Sequence, residues 1–223
     1  MKHRFTNTLF LFLFLCYPSE GIAQEYFEGI ISYTVESKLK YEDHEYNDYL
    51  CQKYGDRLEI YYFKDGSFKR DYRGIGREMG FDWFMYDKPT HNLYGKWIGI
   101  DTIFVYDARK NPLLLKSMLA VEDKVILGKA RKGLVTELFD PEFKEKISFY
   151  FYFDNSLKLA PDAYTDYNDA YMDKVYEKSQ SHYIGLFIDN ELLNTYMEAV
   201  KIERKELDRS VLEIPDKWPV VRK

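Results

Sequence analysis

A chain of 223 residues that is 46% hydrophobic, 31% charged and 18% aromatic, with a mean hydropathy of −0.48, is not a disordered tail, a collagen-like repeat or a multi-span membrane protein. Its 21 Tyr and 16 Phe, against 12 Gly and 7 Pro, point to a mainly β globule, because flat rings pack well on a pleated, half-buried surface. The net charge of −5 and the lack of a basic block argue against a nucleic-acid partner, whose phosphates need neutralising.

Residues 1–23 read as an address. Lys2 and Arg4 give a positive start, Leu9 to Leu15 form an apolar run, and Pro18 breaks it. Gly21 and Ala23 are the small residues a signal peptidase needs, so cleavage is expected between Ala23 and Gln24. The run falls far short of the ~20 residues that cross a bilayer, and no later segment supplies a transmembrane span. Leu15 precedes Cys16 where a lipid-attachment motif needs a small residue, so lipidation is not expected. An exported chain of one domain, residues 24–223, follows. With Cys16 removed, Cys51 is the lone thiol, so no internal disulfide and no cysteine metal cluster can form.

The mature chain opens on alternation: Ile31, Tyr33 and Val35 face away from Ser32, Thr34 and Glu36. Leu58–Phe63 and Phe68–Arg73 read as two strands joined by Lys64-Asp65-Gly66-Ser67, where Gly tolerates positive φ. Trp83–Tyr86, Leu93–Ile98 and Thr102–Tyr106 continue as short strands, with a turn at Pro89-Thr90-His91-Asn92. Ile147, Phe149, Phe151 and Phe153 make one apolar face, opposite Ser148, Tyr150, Tyr152 and Asp154. Tyr167, Tyr171 and Val175 recur every four residues, which predicts a short amphipathic helix over Asp166–Lys178. On period alone, Leu192, Leu193, Tyr196, Met197 and Val200 predict a helix in the first half of residues 191–209.

Little of this carries chemistry. Arg73-Gly74-Ile75-Gly76-Arg77-Glu78-Met79-Gly80 has the wrong glycine spacing for a phosphate loop and no helix after it, so it reads as a connector. Asp43-His44-Glu45 reads as a solvated acidic loop, since neighbours on an extended chain point to opposite sides. Ser181 and His182 are adjacent, whereas a catalytic triad needs partners converging across the fold. Cys51 reads as a small core residue. No catalytic residue, metal ligand or cofactor is expected. The surplus of apolar strand faces leaves two arrangements open: a filled sandwich core, or a curved sheet with more apolar face than its helices cover, able to hold an amphiphile.

Four stretches resemble one family. Tyr26-Phe27-Glu28-Gly29-Ile30-Ile31-Ser32-Tyr33 is similar to the F-x-G-x-I-x-Y first strand of the outer-membrane lipoprotein carrier-like superfamily (LolA/LolB-like half-barrels). Ile126-Leu127-Gly128-Lys129-Ala130-Arg131-Lys132 resembles the ILG-x-x-C-K/R-K segment of its secreted relatives, with Ala130 where they often carry Cys. Tyr150 to Pro161 resembles the family's strand and exit. Ala199-Val200-Lys201-Ile202-Glu203-Arg204-Lys205-Glu206-Leu207-Asp208, continuing through Arg209-Ser210-Val211-Leu212-Glu213-Ile214-Pro215, resembles its final strand and the L-D-x-S-x-F-x-I-P turn that closes it. The resemblance implies a curved antiparallel sheet forming an open half-barrel with one or two helices (an α+β variant of a mainly β fold), and it replaces the helix over 191–209 with a strand. It also implies a periplasmic or outer-membrane-surface location and non-catalytic binding of a lipid, acyl chain or other amphiphile. Ile31, Tyr33, Val35, Phe149, Phe151 and Phe153 are the expected ligand-lining residues. The alternative is an envelope protein-interaction module without a small-molecule ligand, docking its partner by strand addition.

Intact mass of the exported protein is expected to place its first residue at Gln24. A retained leader, or a diacylglyceryl group on Cys16, contradicts this.

Overall fold

The computed structural model describes residues 26–41 and 46–223. The leader, its cleavage point and Asp43-His44-Glu45 lie outside them. Twelve strands form a single sheet: β1 (Gly29–Leu39), β2 (Arg57–Tyr62), β3 (Phe68–Arg73), β4 (Phe81–Asp87), β5 (Asn92–Trp97), β6 (Ile103–Asp107), β7 (Leu114–Ile126), β8 (Lys129–Asp140), β9 (Glu145–Lys158), β10 (Ser181–Asp189), β11 (Leu193–Arg204) and β12 (Val220–Arg222). Two helices, α1 (Asn47–Gln52) and α2 (Met172–Ser179), accompany it. Among the described residues no helix is long and apolar enough to cross a membrane.

The order across the sheet is β12-β6-β5-β4-β3-β2-β1-β11-β10-β9-β8-β7, antiparallel throughout except where β12 lies parallel to β6. From β1 the chain meanders to one side as far as β6. It then crosses to the far edge, enters β7, and meanders back until β11 closes on the free side of β1. The crossing uses only the six residues between Asp107 and Leu114. Seven extended Cα steps reach about 24 Å. In a flat sheet the ten spacings between β6 and β7 would hold them about 48 Å apart. The sheet therefore has to curl, and it forms an open half-barrel with one concave apolar face.

Alternation decides which side chains enter that face. Ile31, Tyr33 and Val35 of β1, Leu58, Ile60 and Tyr62 of β2, and Phe151 and Phe153 of β9 belong to one buried cluster. Residues 159–180 lie against it and bring Tyr164, Tyr167, Met172, Val175 and Tyr176 into the same cluster. In α2 the buried residues Met172, Val175 and Tyr176 fall at helical spacing, and Gln180 ends the helix in the left-handed region (φ 53°), its N–H donating to the Tyr176 carbonyl. The rest of the predicted helix does not form. Ala170 (φ 49°) and Tyr171 (φ 58°) are both left-handed, which breaks the chain direction and leaves Tyr167 on a separate turn.

Residues 191–209 follow the resemblance and not the period. β11 is a strand because β1 and β10 satisfy its backbone on both sides, and Leu193, Thr195, Met197 and Ala199 alternate inward while Val200 is exposed. Cys51 is corrected: it sits exposed on α1, outside the core. The β7–β8 hairpin escaped the sequence pattern because β7 is largely open, with Leu119 and Val125 exposed, while β8 buries the consecutive residues Leu134, Val135 and Thr136, which hides any alternation. Leu127 (φ 49°) and Gly128 (φ 72°) supply its tight turn. The glycine-rich stretch is a connector, as expected. Arg77 pins it by donating from Nε to the Gln52 carbonyl (3.1 Å), from Nη1 to that of Tyr72 (2.8 Å) and from Nη2 to that of Phe81 (2.5 Å).

Phe151 is buried between Phe149 and Phe153, both at 6.1 Å between ring centroids, whereas Tyr150 lies half-buried on the opposite face against Phe187 at 5.2 Å. Phe151→Ala is expected to cost about 3–5 kcal/mol, lowering Tm by roughly 6–20 °C. Tyr150→Ala is expected to lower it by less. Thermal melts of the two variants check the assignment of faces, and the reverse order contradicts it.

Candidate functional site

The concave face is not filled. A cavity of about 260 Å³ opens between the β2–β4 side and the β9–β11 side, walled by Leu58, Tyr72, Phe84, Phe149, Phe151 and Met197 and bordered by Tyr167, Asp169 and Met172 from the inner segment. A second cavity of about 330 Å³ shares Phe81, Phe84 and Asp169 with it and continues past Trp97 and Tyr106 to Lys110 and Lys223. Of the residues expected to line a ligand site, Phe149 and Phe151 lie in the wall of the first cavity. Ile31, Tyr33 and Val35 are in the packed cluster beside it, where the Tyr33 hydroxyl donates to the Tyr183 carbonyl at 2.8 Å. Phe153 also packs into that cluster, and it borders a separate pocket of about 270 Å³ with Leu134 and Ala120.

One charged wall residue was missed by the sequence reading. In β3, Phe68, Arg70 and Tyr72 alternate with Lys69, Asp71 and Arg73, so Arg70 shares the concave side with two buried aromatics. Its guanidinium lies over the rings of Phe68 (4.8 Å) and Phe84 (5.8 Å). Its Nε is buried without a hydrogen-bond partner. Asp169 borders the same cavity but makes no ion pair with Arg70. Burial pushes its carboxyl above the usual range, and Arg70 partly opposes that shift. The usable signal was a charge placed in register with inward-facing Phe68 and Tyr72.

Behind Arg70 stands a group of phenols. Burial raises the pKa values of Tyr33, Tyr62, Tyr164 and Tyr176 well above the ordinary tyrosine value, so each keeps its proton at neutral pH. The hydroxyls of Tyr62, Tyr164 and Tyr176 are buried and unpartnered. His182 sits among them, with ring centroids 3.9 Å from Tyr62, 5.4 Å from Phe27 and 5.9 Å from Tyr164, and its Nδ1 is also unpartnered. Ser181 turns back to the Ser179 carbonyl at 3.2 Å, so it is not joined to His182 as a nucleophile to a base. The wall of the first cavity holds no Ser, Thr, Cys, His or Lys. Among the described residues no cluster of His, Cys, Asp or Glu could hold a metal ion. The first cavity is a largely apolar chamber with one guanidinium, Arg70, and one carboxylate, Asp169, in its lining.

No protein-family model and no curated protein matches the chain. Among solved structures it is similar to the Mycobacterium tuberculosis lipoprotein LppX. That likeness has 10% sequence identity, covers 81% of this chain and 89% of the other, and has a TM-score of 0.34. A likeness of that degree assigns no ligand.

Burial lowers the His182 pKa to about 3. Between the unfolded value near 6.5 and that folded value, the unfolded chain binds a proton that the fold excludes. The His182 contribution to stability is therefore fully present above about pH 6.5 and is lost at about 1.4 kcal/mol for each pH unit between there and the folded value. His182→Phe, which keeps a ring among rings, is expected to flatten the dependence of Tm on pH over roughly pH 4 to 6. A profile parallel to that of the unaltered protein contradicts the burial of a neutral imidazole.

Proposed function

We propose that the protein is an exported, non-catalytic envelope protein that takes a hydrophobic or amphiphilic ligand, a lipid or acyl chain, into the concave face of its half-barrel. The single observation that carries this reading is the apolar chamber that residues 159–180 leave unfilled against the curled sheet. Aromatic and aliphatic walls with a few polar groups are the usual make-up of small-molecule sites. The leader and the lipoprotein carrier-like motifs agree with it, and they are the support for a periplasmic or outer-membrane-surface location.

A second reading rests on the opposite edge of the molecule. β7 is a thirteen-residue edge strand with exposed Leu114, Leu119 and Val125, a surface on which a partner's strand could add. Organic extraction of the protein purified from its native envelope, followed by mass spectrometry, separates the two. A stoichiometric lipid is expected. Met197→Trp, which places an indole in the first cavity, is expected to abolish that co-purification while leaving the far-UV spectrum intact. Lipid-free protein that also fails to bind a fluorescent acyl probe overturns the carrier reading in favour of the docking edge.

A further inference from the structure

The polar side of the chamber narrows the ligand's chemistry. A guanidinium cannot shed its proton at any pH the protein meets, so a positive charge is fixed in an otherwise aromatic wall. Burying such a charge without a counter-ion is costly unless other groups compensate. Arg70 has two ring faces, at 4.8 and 5.8 Å, and a buried Nε with nothing to donate to. Lys132, which borders the pocket beside Phe153, is by contrast paired with Asp123 at 3.6 Å.

The charge around the chamber is also unbalanced. The two adjoining cavities are bordered by Arg70, Lys110 and Lys223 on the positive side and by Asp107 and Asp169 on the negative. Asp107 is already held by Arg109 at 2.9 Å. Asp169 is left to offset three cations, and it forms no ion pair with the one inside the wall. The Tyr72 hydroxyl contacts the guanidinium, but Asp169 makes no ion pair with it, so Arg70 lacks the pair of carboxylate oxygens that a planar guanidinium is shaped to grip.

Resting on the carrier reading, we propose that Arg70 anchors the anionic head of the ligand, a carboxylate or phosphate, while Leu58, Phe84, Phe149, Phe151 and Met197 hold its acyl chain. The ligand class is then an acyl anion, and neutral esters or alcohols of the same chain length are poor ligands. Carboxylate and phosphate share the chemistry that Arg70 reads, and the experiment distinguishes them.

The exported protein is stripped of lipid, and its binding of palmitate, 1-palmitoyl lysophosphatidate and methyl palmitate is measured by displacement of a fluorescent acyl probe. At least one of the two anions is expected to bind about tenfold or more tighter than methyl palmitate, the scale of a charge-assisted hydrogen-bond pair. The better of the two identifies the head. Arg70→Met keeps the packing on Phe68 and Phe84, and it is expected to erase this preference, so that anions and ester bind with similar affinity. Asp169→Asn removes the nearby negative charge and is expected to tighten the anion severalfold relative to the ester, which keeps the idea testable if Arg70→Met does not fold. Equal binding of anions and ester by the unaltered protein overturns the anchor while leaving the carrier reading standing. So does an Asp169→Asn variant with unchanged or weakened anion binding relative to the ester, or an Arg70→Met variant that keeps the anion preference. Failure to bind any of the three, ester included, overturns the carrier reading itself.

Discussion

The six residues between β6 and β7 set the shape of everything else. A chain that must pass from one flank of a twelve-stranded sheet to the other on so short a tether has to fold the sheet round on itself. The tether is also where the inner segment attaches. The Asn168 N–H donates to the Ala108 carbonyl at 2.9 Å, its side-chain amide to that of Arg109 at 3.3 Å, and the Tyr171 hydroxyl to that of Leu113 at 3.1 Å. Curvature and the position of residues 159–180 are therefore one constraint. The same short link that makes the concavity holds in place the segment that partly fills it.

That segment packs unevenly, and the unevenness produces the site. At one end Tyr164 stacks on Tyr176 at 4.1 Å and, with Tyr62 and Phe68, closes around His182 and the floor of the sheet. At the other, the left-handed pair Ala170 and Tyr171 turns the backbone away before it reaches Phe84 and Phe149. Rings thus crowd one part of the concavity, while the part walled by Phe84 and Phe149 is left open. Arg70 lies at the boundary between them, between Phe68 on the filled side and Phe84 on the open side.

The strands with one dry and one wet face were legible in the sequence, because there the pleat writes itself as alternation: β1, β2, β3 and β9 are where Ile31, Leu58, Phe68 and Phe151 place them. Three things were not. In the β7–β8 hairpin, β7 has little to bury and β8 buries Leu134, Val135 and Thr136 in a row, so neither carries a period. Residues 191–209 contain apolar groups on both strand faces, since Tyr196 stacks with Phe187 outside (4.4 Å) while Met197 points inward, and such a pattern imitates a helix. The curl itself depends on a connection length weighed against a strand order, and strand order is a long-range fact. Phe149 and Phe151 were legible as an apolar face, but Arg70 was passed over because a charge at an inward position was read as part of a hairpin and not as an anomaly.

The place of β1 has a consequence in time. It is the first strand of the chain, and the seam between the two meanders: β2 pairs with it on one side and β11 on the other, joining Gly29 to Arg204 and Leu39 to Leu193. Contacts so distant along the chain form slowly, because the loop between them must first be closed. Until β11 (Leu193–Arg204) has left the ribosome, the seam stays open and one backbone edge of β1 lacks its partner. The nascent chain is thereby kept from early closure of its half-barrel.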